Sequence, residues 1–330
     1  MTTLPPRLKA GDRIRVVAPS MSLSLVSDAT RTGAVARLTA EFGFDVTFGA
    51  HVDESGPLGT GPIAGRVADL HDAFADPTVA GILTVLGGFH ANQLLPHLDY
   101  DLIRANPKVF CGFSDITALQ GALLARAGLV TYSGPHFSTF AMQEHNEATI
   151  EAFRRCVFED APVSWVPASA WTDDEWYRLQ DTAEGRDAPA RNEGWWVLQP
   201  GTANGPLVGG NLCTLNLLQG TPYWPDLDGA VLVIEDDFES HAHDFARNLT
   251  SLLQTGIGVR GLVVGRFQRK SGVDQELLRH IVTSAPQLAG VPVLANVDVG
   301  HTNPLYTFPV GGSCYLAAEP GAVEIVLTRH

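Results

Sequence analysis

The segment Lys108–Leu119, KVFCGFSDITAL, places a hydroxyl nucleophile in a pattern that would expose it. An apolar run leads into Gly112, Ser114 follows at the bend, and a helical pattern begins directly afterwards. The free N–H groups and positive dipole end of such a helix stabilise a developing oxyanion. The pattern is similar to the G-x-S-x-G elbow of hydrolases, although Ile116 replaces the second glycine. A helix cap formed by Ser114 or Asp115 explains the same residues, and this segment alone favours the cap.

A serine nucleophile needs a base, and the base needs a group that orients it. His301 follows an apolar run and Gly300, at a strand end where sites collect. Glu235 closes the apolar run AVLVIE, and a carboxylate at the end of a buried strand is costly unless it is paired. Other interpretations remain open, with His301 as a turn residue bonded to the backbone and residues 235–237 as solvated acids or helix caps.

The remaining motifs give little support to metal or cofactor chemistry. His241 and His243 stand two residues apart at the start of a helical pattern, so their side chains point to different faces, and no HExxH motif accompanies them. Gly87 and Gly88 follow an apolar run and would let the backbone approach a ligand, but LGGFHANQ is not the dinucleotide fingerprint. We therefore expect no metal and no cofactor.

Strand and helix patterns alternate through the first half of the chain. Apolar runs predict five strands, at Ile14–Ala18, Asp45–Phe48, Gly81–Leu86, Lys108–Gly112 and Leu129–Ser133. Helical spacing predicts four helices, at Ala29–Glu41, Arg66–Phe74, Asp115–Ala127 and residues 146–157. This alternation predicts an α/β fold with a parallel sheet that is covered on both faces.

The second half is richer in strand patterns. Helices are predicted at Asn211–Gln219 and Phe245–Thr255, and strands at Ala230–Glu235, Gly261–Phe267, Val291–Val299, Cys314–Ala318 and Ala322–Leu327. Between the halves, residues 167–206 show no period and hold four of the six tryptophans, namely Trp171, Trp176, Trp195 and Trp196. Because disordered linkers are poor in aromatic residues, we expect an ordered binding loop here. A domain boundary is predicted near residues 158–168.

Length and charge limit the classes of protein to which the chain can belong. A chain of 330 residues predicts two domains. Its 22 basic and 36 acidic residues give a net charge of −14, which disfavours nucleic-acid and membrane-surface partners. The four cysteines lie far apart without a CxxC motif, so we expect them to be reduced. No apolar signal core or run of about 18 apolar residues is present, which predicts a cytoplasmic location.

Four blocks of sequence cover almost the whole chain in one order: LKAGDRIRVVAPS, the stretch from GGFHANQ to VTYSGPH, LVGGNLCTLNLLQGTPYWPDLDGAVLVIEDDFE, and NVDVGHTNPLYTFPVGG. Together these blocks resemble the LD-carboxypeptidase family of serine peptidases. The resemblance implies a Rossmann-like N-terminal domain with a parallel sheet, a smaller β-rich C-terminal domain, and an active site between them. The boundaries that we expect are 1–160 for the first domain, 161–206 for a Trp-bearing active-site loop and linker, and 207–330 for the second domain.

The resemblance also implies the residues of the site. Ser114 would be the nucleophile, His301 the base and Glu235 the group that orients the base, in the family's order along the chain. The backbone N–H groups of Asp115 and Gly88 would form the oxyanion hole. Substrate contacts are expected from three further residues, Trp176, Trp171 and Asp236.

Two branches of the family differ in their substrates. One removes the terminal D-alanine from murein tetrapeptides, and the other resembles the microcin C immunity protein, which cleaves the amide between a peptide or aspartyl group and a nucleotide-like moiety. The Trp-bearing stretch and the acidic doublet after Glu235 favour the second branch. We therefore expect a cytosolic serine amidase that acts on a small peptide- or nucleotide-derived substrate, as the homodimer that is frequent in the family. A murein carboxypeptidase is the alternative, and a non-catalytic module that binds peptides or nucleotides is a third.

Overall fold

The first sheet carries the nucleophile candidate at the end of one of its strands. The structure is a computed structural model that describes residues 2–174 and 188–330. The first five strands are β1 (Arg13–Val17), β2 (Asp45–Phe48), β3 (Val79–Thr84), β4 (Val109–Gly112) and β5 (Thr131–Ser133). They pair in parallel in the order β5-β4-β3-β1-β2. The parallel sheet predicted from the alternating patterns is thus confirmed.

Five helices belong to the same half, namely α1 (Asp28–Phe42), α2 (Ile63–Ala75), α3 (Tyr100–Ala105), α4 (Thr117–Ala122) and α5 (Glu147–Phe158). α1 shows how the sequence sets their bounds. The Ser27 hydroxyl accepts a hydrogen bond from the N–H of Thr30 at its start, and Gly43 adopts a left-handed φ of 71° at its end. Its buried residues recur every four positions and therefore form one stripe against the core.

The helix predicted at Asp115–Ala127 is divided into three parts in the structure. A 3-10 turn (Ser114–Ile116) precedes α4, and a π turn (Leu123–Ala127) follows it and ends at Gly128, whose φ is 68°. The Gln120 amide donates hydrogen bonds to the backbone oxygens of Gly112 and Tyr132, at the ends of β4 and β5. These bonds fix α4 to the strand end that carries Ser114.

The second sheet is built from strands of the second half and from part of the stretch between the halves. The remaining strands are β6 (Val163–Trp165), β7 (Ala170–Trp171), β8 (Ala190–Arg191), β9 (Trp196–Gln199), β10 (Gly201–Asn211), β11 (Val231–Glu235), β12 (Gly261–Gly265), β13 (Val293–Val297), β14 (Phe308–Val310), β15 (Gly312–Glu319) and β16 (Ala322–Arg329). Eight of them form a sheet in the order β6-β16-β15-β10-β11-β12-β13-β9, in which β10 to β13 are parallel. The helices of this half are α6 (Leu212–Asn216), α7 (Ala242–Leu253) and α8 (Gln275–Thr283).

Several elements differ from the sequence prediction, and among them α3, β6 and β14 were not predicted. Residues 167–206 were expected to form a binding loop, yet β9 and most of β10 lie there and belong to the second sheet, while β7 and β8 pair with each other. β9 pairs with β13, and β10 pairs with β15 and β11. Because these partner strands are distant in sequence, local periodicity does not reveal β9 and β10 as strands. α8 was not predicted, although the Asp274 side chain caps it and Leu278 and Val282 are buried one turn apart.

One strand of the second half joins the first sheet. β14 pairs antiparallel with β5, with Phe308 opposite Ser133 and Val310 opposite Thr131. The same sheet therefore contains chain from both halves. Because β14 follows closely after the turn that carries His301, this pairing also fixes that turn relative to the first sheet.

Candidate active site

Three polar side chains from distant parts of the chain meet at the ends of strands from both sheets. The Nε2 atom of His301 lies 3.0 Å from the Oγ atom of Ser114, and its Nδ1 atom lies 2.6 Å from Oε2 of Glu235. Ser114 follows β4, Glu235 ends β11, and His301 lies in the turn after β13. Both distances fall within the range of hydrogen bonds that a proton relay requires.

The backbone at Ser114 makes the sharp bend that its sequence neighbours predict. Phe113 is extended, whereas Ser114 has a φ of 61°, in the left-handed region that non-glycine residues rarely adopt. A Cβ atom placed on Gly87 would lie 3.0 Å from the Cβ atom of Ser114, so only glycine lets that loop approach so closely. The hydroxyl is thus exposed at a strand–turn–helix junction beside a glycine loop.

Gly300 allows Glu235 to reach the imidazole. Its φ is 99°, and a Cβ atom placed there would lie 2.6 Å from Oε2 of Glu235, the same oxygen that contacts His301. Glu235 is buried, with only 4% of its surface exposed. A side chain at position 300 would therefore occupy the space that the Glu235 carboxylate needs for its hydrogen bond with His301.

The backbone N–H groups of Asp115, which follows Ser114, and of Gly88, which lines the same cleft, have no hydrogen-bond acceptor among the described residues. The side chain of Asp115 connects the two segments, because its Oδ2 atom accepts hydrogen bonds from the N–H groups of His90 and Ala91, both at 2.8 Å, and from the Ser20 hydroxyl. This buried carboxylate fixes the loop after β3 to the turn that bears Ser114. An oxyanion hole formed by the two amides stays a prediction.

A cleft of about 390 Å³ opens in front of Ser114 and His301. One part of its wall is apolar, with Met21, Leu25, Val26, Leu86, Phe89, Phe113 and Phe238. Its acidic side chains are Asp237 and Glu239, which follow Glu235 along the chain. A cleft of this size accommodates a small ligand and gives it direct access to the serine hydroxyl.

Family comparison covers both halves of the chain. Residues 14–134 match the N-terminal domain of LD-carboxypeptidases, and residues 204–316 match the corresponding C-terminal domain, both of peptidase family S66. The chain belongs to the LD-carboxypeptidase family. Members of this family are peptidases, so the protein is a serine hydrolase, as the sequence predicted.

Individual relatives include a putative carboxypeptidase and MccF-like proteins. The putative carboxypeptidase YocD of Bacillus subtilis is 45% identical over 98% of this chain and 99% of its own length. A crystal structure of an MccF-like protein from Bacillus anthracis is 45% identical, with a TM-score of 0.96 over 99% of this chain and 100% of that one. The microcin C7 self-immunity protein MccF of Escherichia coli is 28% identical over 82% of this chain and 80% of its own. A structure of MccF in complex with aspartyl sulfamoyl adenosine is 25% identical, with a TM-score of 0.89 over 99% of each chain.

Charges around His301 determine its protonation in this family member. Burial lowers the pKa of His301, but the charge of Glu235 and the hydrogen bond that His301 donates to this carboxylate outweigh burial, and with Asp237 and Asp236 they raise the pKa to about 9. Burial and the adjacent Glu235 charge raise the pKa of Asp236 to about 7, against the hydrogen bond from Ser240. The imidazolium form of His301 is therefore favoured at neutral pH while the cleft is empty.

The structure separates the residues expected to contact substrate. Asp236 is buried, accepting hydrogen bonds from Ser240 and Asn211, and it is Asp237 that lines the cleft. Trp171 lines a different cavity, of about 330 Å³, where the guanidinium groups of Arg266 and Arg269 lie 5.0 and 4.3 Å from its ring centroid. Trp176 lies outside the described residues. Contact of these three residues with substrate stays a prediction.

Within residues 2–174 and 188–330, no group of three or more His, Cys, Asp or Glu side chains is arranged to hold a metal ion. No helix in the same part of the chain is long and apolar enough to cross a membrane.

Sequence reasoning missed the aromatic environment of the relay. The ring of Phe113 contacts those of His136 and His301, and His136 is hydrogen-bonded to Thr84. Phe113 stands directly before the serine, which is the one signal that pointed to it. The position of His136, 22 residues further along, depends on the packing of β3, β4 and β5 and leaves no local signature.

Proposed function

We propose that Ser114, His301 and Glu235 form a catalytic triad that hydrolyses an amide bond. Ser114 Oγ attacks the carbonyl carbon while its proton passes to Nε2 of His301. The imidazolium then gives that proton to the leaving nitrogen, so the C–N bond breaks and an acyl-enzyme remains. Water repeats the sequence on the ester and releases the acid. Glu235 holds the Nδ1–H tautomer and stabilises the imidazolium.

The observation that carries this proposal is the pair of hydrogen bonds through His301, 3.0 Å to Ser114 and 2.6 Å to Glu235, at the floor of an open cleft. The amides of Asp115 and Gly88 would stabilise the oxyanion of the tetrahedral intermediate. Each donor of this kind typically lowers the barrier by about 2.7–4 kcal/mol.

The substrate that we infer is a peptidyl or aminoacyl group joined by an amide to a nucleotide-like moiety. Supporting this inference are the similarity to an MccF-like protein over the whole chain and the aspartyl sulfamoyl adenosine in the MccF structure. The cleft wall suits a bulky uncharged group, because Met21, Leu25 and Phe89 present apolar surface beside Ser114.

Removal of D-alanine from a murein tetrapeptide is the second candidate. The family description, LD-carboxypeptidase, favours it, and the same triad would carry out the reaction. The two candidates differ in the acyl group, which is a murein peptide in one and an aminoacyl or peptidyl group in the other. They also differ in the leaving group, since a D-alanine carries a free carboxylate whereas the nucleotide-like moiety carries a flat base.

The deciding experiment offers both substrates to the purified protein in parallel. Murein tetrapeptide and aspartyl sulfamoyl adenosine are incubated with wild-type protein and with Ser114→Ala, and the products are identified by mass spectrometry. Hydrolysis of the sulfamoyl compound alone supports the amidase, and release of D-alanine alone supports the carboxypeptidase. Binding of either compound without any product would refute both and would indicate a non-catalytic module.

A further inference from the structure

Phe113 lies between two imidazole rings. Its ring centroid is 4.4 Å from that of His136, with the planes inclined at 31°, and 5.1 Å from that of His301, with the planes at 58°. Both separations are typical of aromatic pairs that attract each other. Phe113 also lines the cleft with Ser114, so one dipeptide supplies both the hydroxyl that bonds to His301 and a ring that packs against it.

We call the three rings of His136, Phe113 and His301 the aromatic stack, and within it His136 is the residue that the first sheet holds in place. It is buried, with 4% of its surface exposed, and its Nδ1 atom lies 2.8 Å from the Thr84 hydroxyl at the end of β3. Its Nε2 atom has no hydrogen-bond partner among the described residues. Burial, assisted by the nearby His301, lowers the pKa of His136 to about 3, so the ring is neutral. His136 is therefore a buried, neutral ring that packs against Phe113.

The hydrogen bonds of His301 leave one motion of its ring weakly restrained. The two partner oxygens, Ser114 Oγ and Glu235 Oε2, bond to different nitrogens of the imidazole, Nε2 and Nδ1. Rotation of the ring about the line between these oxygens alters the hydrogen-bond angles more than the distances. Hydrogen bonds weaken steeply only at large angular deviations, so a contact on the face of the ring is needed to restrain this rotation.

We propose that Phe113, backed by His136, is a positioning residue that sets the orientation of the His301 ring for proton transfer. This inference rests on the proposed function. The stack runs from the first sheet, through Thr84 and His136, to a base carried by the turn after β13. The stack therefore positions His301 relative to Ser114 from the first sheet, which also carries the nucleophile. Glu235, Asp236 and Asp237 act on the charge of His301 from the other side.

A fluorophosphonate probe tests the proposal without a natural substrate. Ser114 Oγ would form a bond to phosphorus and expel fluoride, while its proton passes to His301. We expect Phe113→Leu to lower the second-order labelling rate constant roughly tenfold, which corresponds to about 1.4 kcal/mol, because the His301 ring would lose the contact that orients it. Phe113→Tyr, which keeps the ring, should label within about threefold of wild type. With an amide substrate, kcat should fall while KM is nearly unchanged.

Phe158→Leu is the matched control, because Phe158 stacks on Phe42 and Phe44 and is remote from the cleft. Equal losses in Phe113→Leu and Phe158→Leu, or full activity in Phe113→Leu, would overturn the proposal. Should Phe113→Leu not fold, His136→Leu tests the same stack, and labelling at the wild-type rate would again contradict it. Equal labelling of wild type and Ser114→Ala would instead refute the triad itself, so the two failures are distinguishable.

Discussion

The Nε2 atom of His301 lies 3.0 Å from the hydroxyl of Ser114, although 187 residues separate them along the chain. Ser114 is held by β4 of the first sheet, and His301 by the turn after β13 of the second. A shift of one sheet against the other by about 1 Å would break this contact, and such misplacements can cost a factor of 10² in rate. The proposed activity therefore depends on the fixed relative position of the two sheets.

Replacement of the nucleophile gives the simplest prediction. Ser114→Ala should lower kcat for amide hydrolysis by a factor of about 10⁴ or more, because no other group can form the acyl-enzyme. The melting temperature should change little, since the side chain is small and alanine meets the same positive φ. Hydrolysis is measured by chromatography, and unchanged turnover in Ser114→Ala would contradict the triad.

The pH dependence follows from His301. A general base must be neutral, and the pKa of His301 is about 9 in the free protein. We therefore expect kcat/KM to rise about tenfold per pH unit below pH 9 and to level off above it. Glu235→Gln removes the charge that favours the imidazolium, so the inflection should move to lower pH while the plateau falls. A rate profile that is flat between pH 6 and 9 in the wild type would contradict a raised pKa of His301.

Asp115 connects the proposed oxyanion loop to the nucleophile turn. Asp115→Asn removes the negative charge that strengthens the hydrogen bonds from His90, Ala91 and Ser20, all of which go to one carboxylate oxygen. We expect the free energy of unfolding to fall by about 1–3 kcal/mol and kcat to fall as well. Urea denaturation and steady-state kinetics measure the two effects. Asp101→Asn, at an exposed site, is the control and should change neither.

Gly300 offers a test of the position of Glu235. In Gly300→Ala the added methyl would meet Glu235 Oε2 at 2.6 Å, so the carboxylate must move away from His301. Activity should fall at least a hundredfold. Gly256→Ala is the matched control, because Gly256 also has a positive φ, 83°, but has no atom within 4 Å of the added methyl. If both variants lose activity equally, backbone strain and not displacement of Glu235 is responsible.

Much of the fold could be predicted from the sequence, because strands such as β11 and β12 are largely apolar runs whose burial needs no knowledge of their neighbours. β10 could not, since its sequence GTANGPLVGGN is poor in strand formers and its conformation depends on pairing with β15 and β11. In the site, family resemblance singled out Ser114, Glu235 and His301, and the structure brings them together. It assigned no role to His136, which reaches the relay only through tertiary packing.

The return of β14 to the first sheet has a consequence for any attempt to divide the protein. A fragment ending at residue 160 would lack this strand, and β5 would then present bare N–H and C=O groups along an open edge. Such an edge recruits other chains, so the isolated fragment should aggregate. Co-expression with residues 161–330 should prevent this aggregation and give a complex of the two fragments that elutes as a single peak in size-exclusion chromatography.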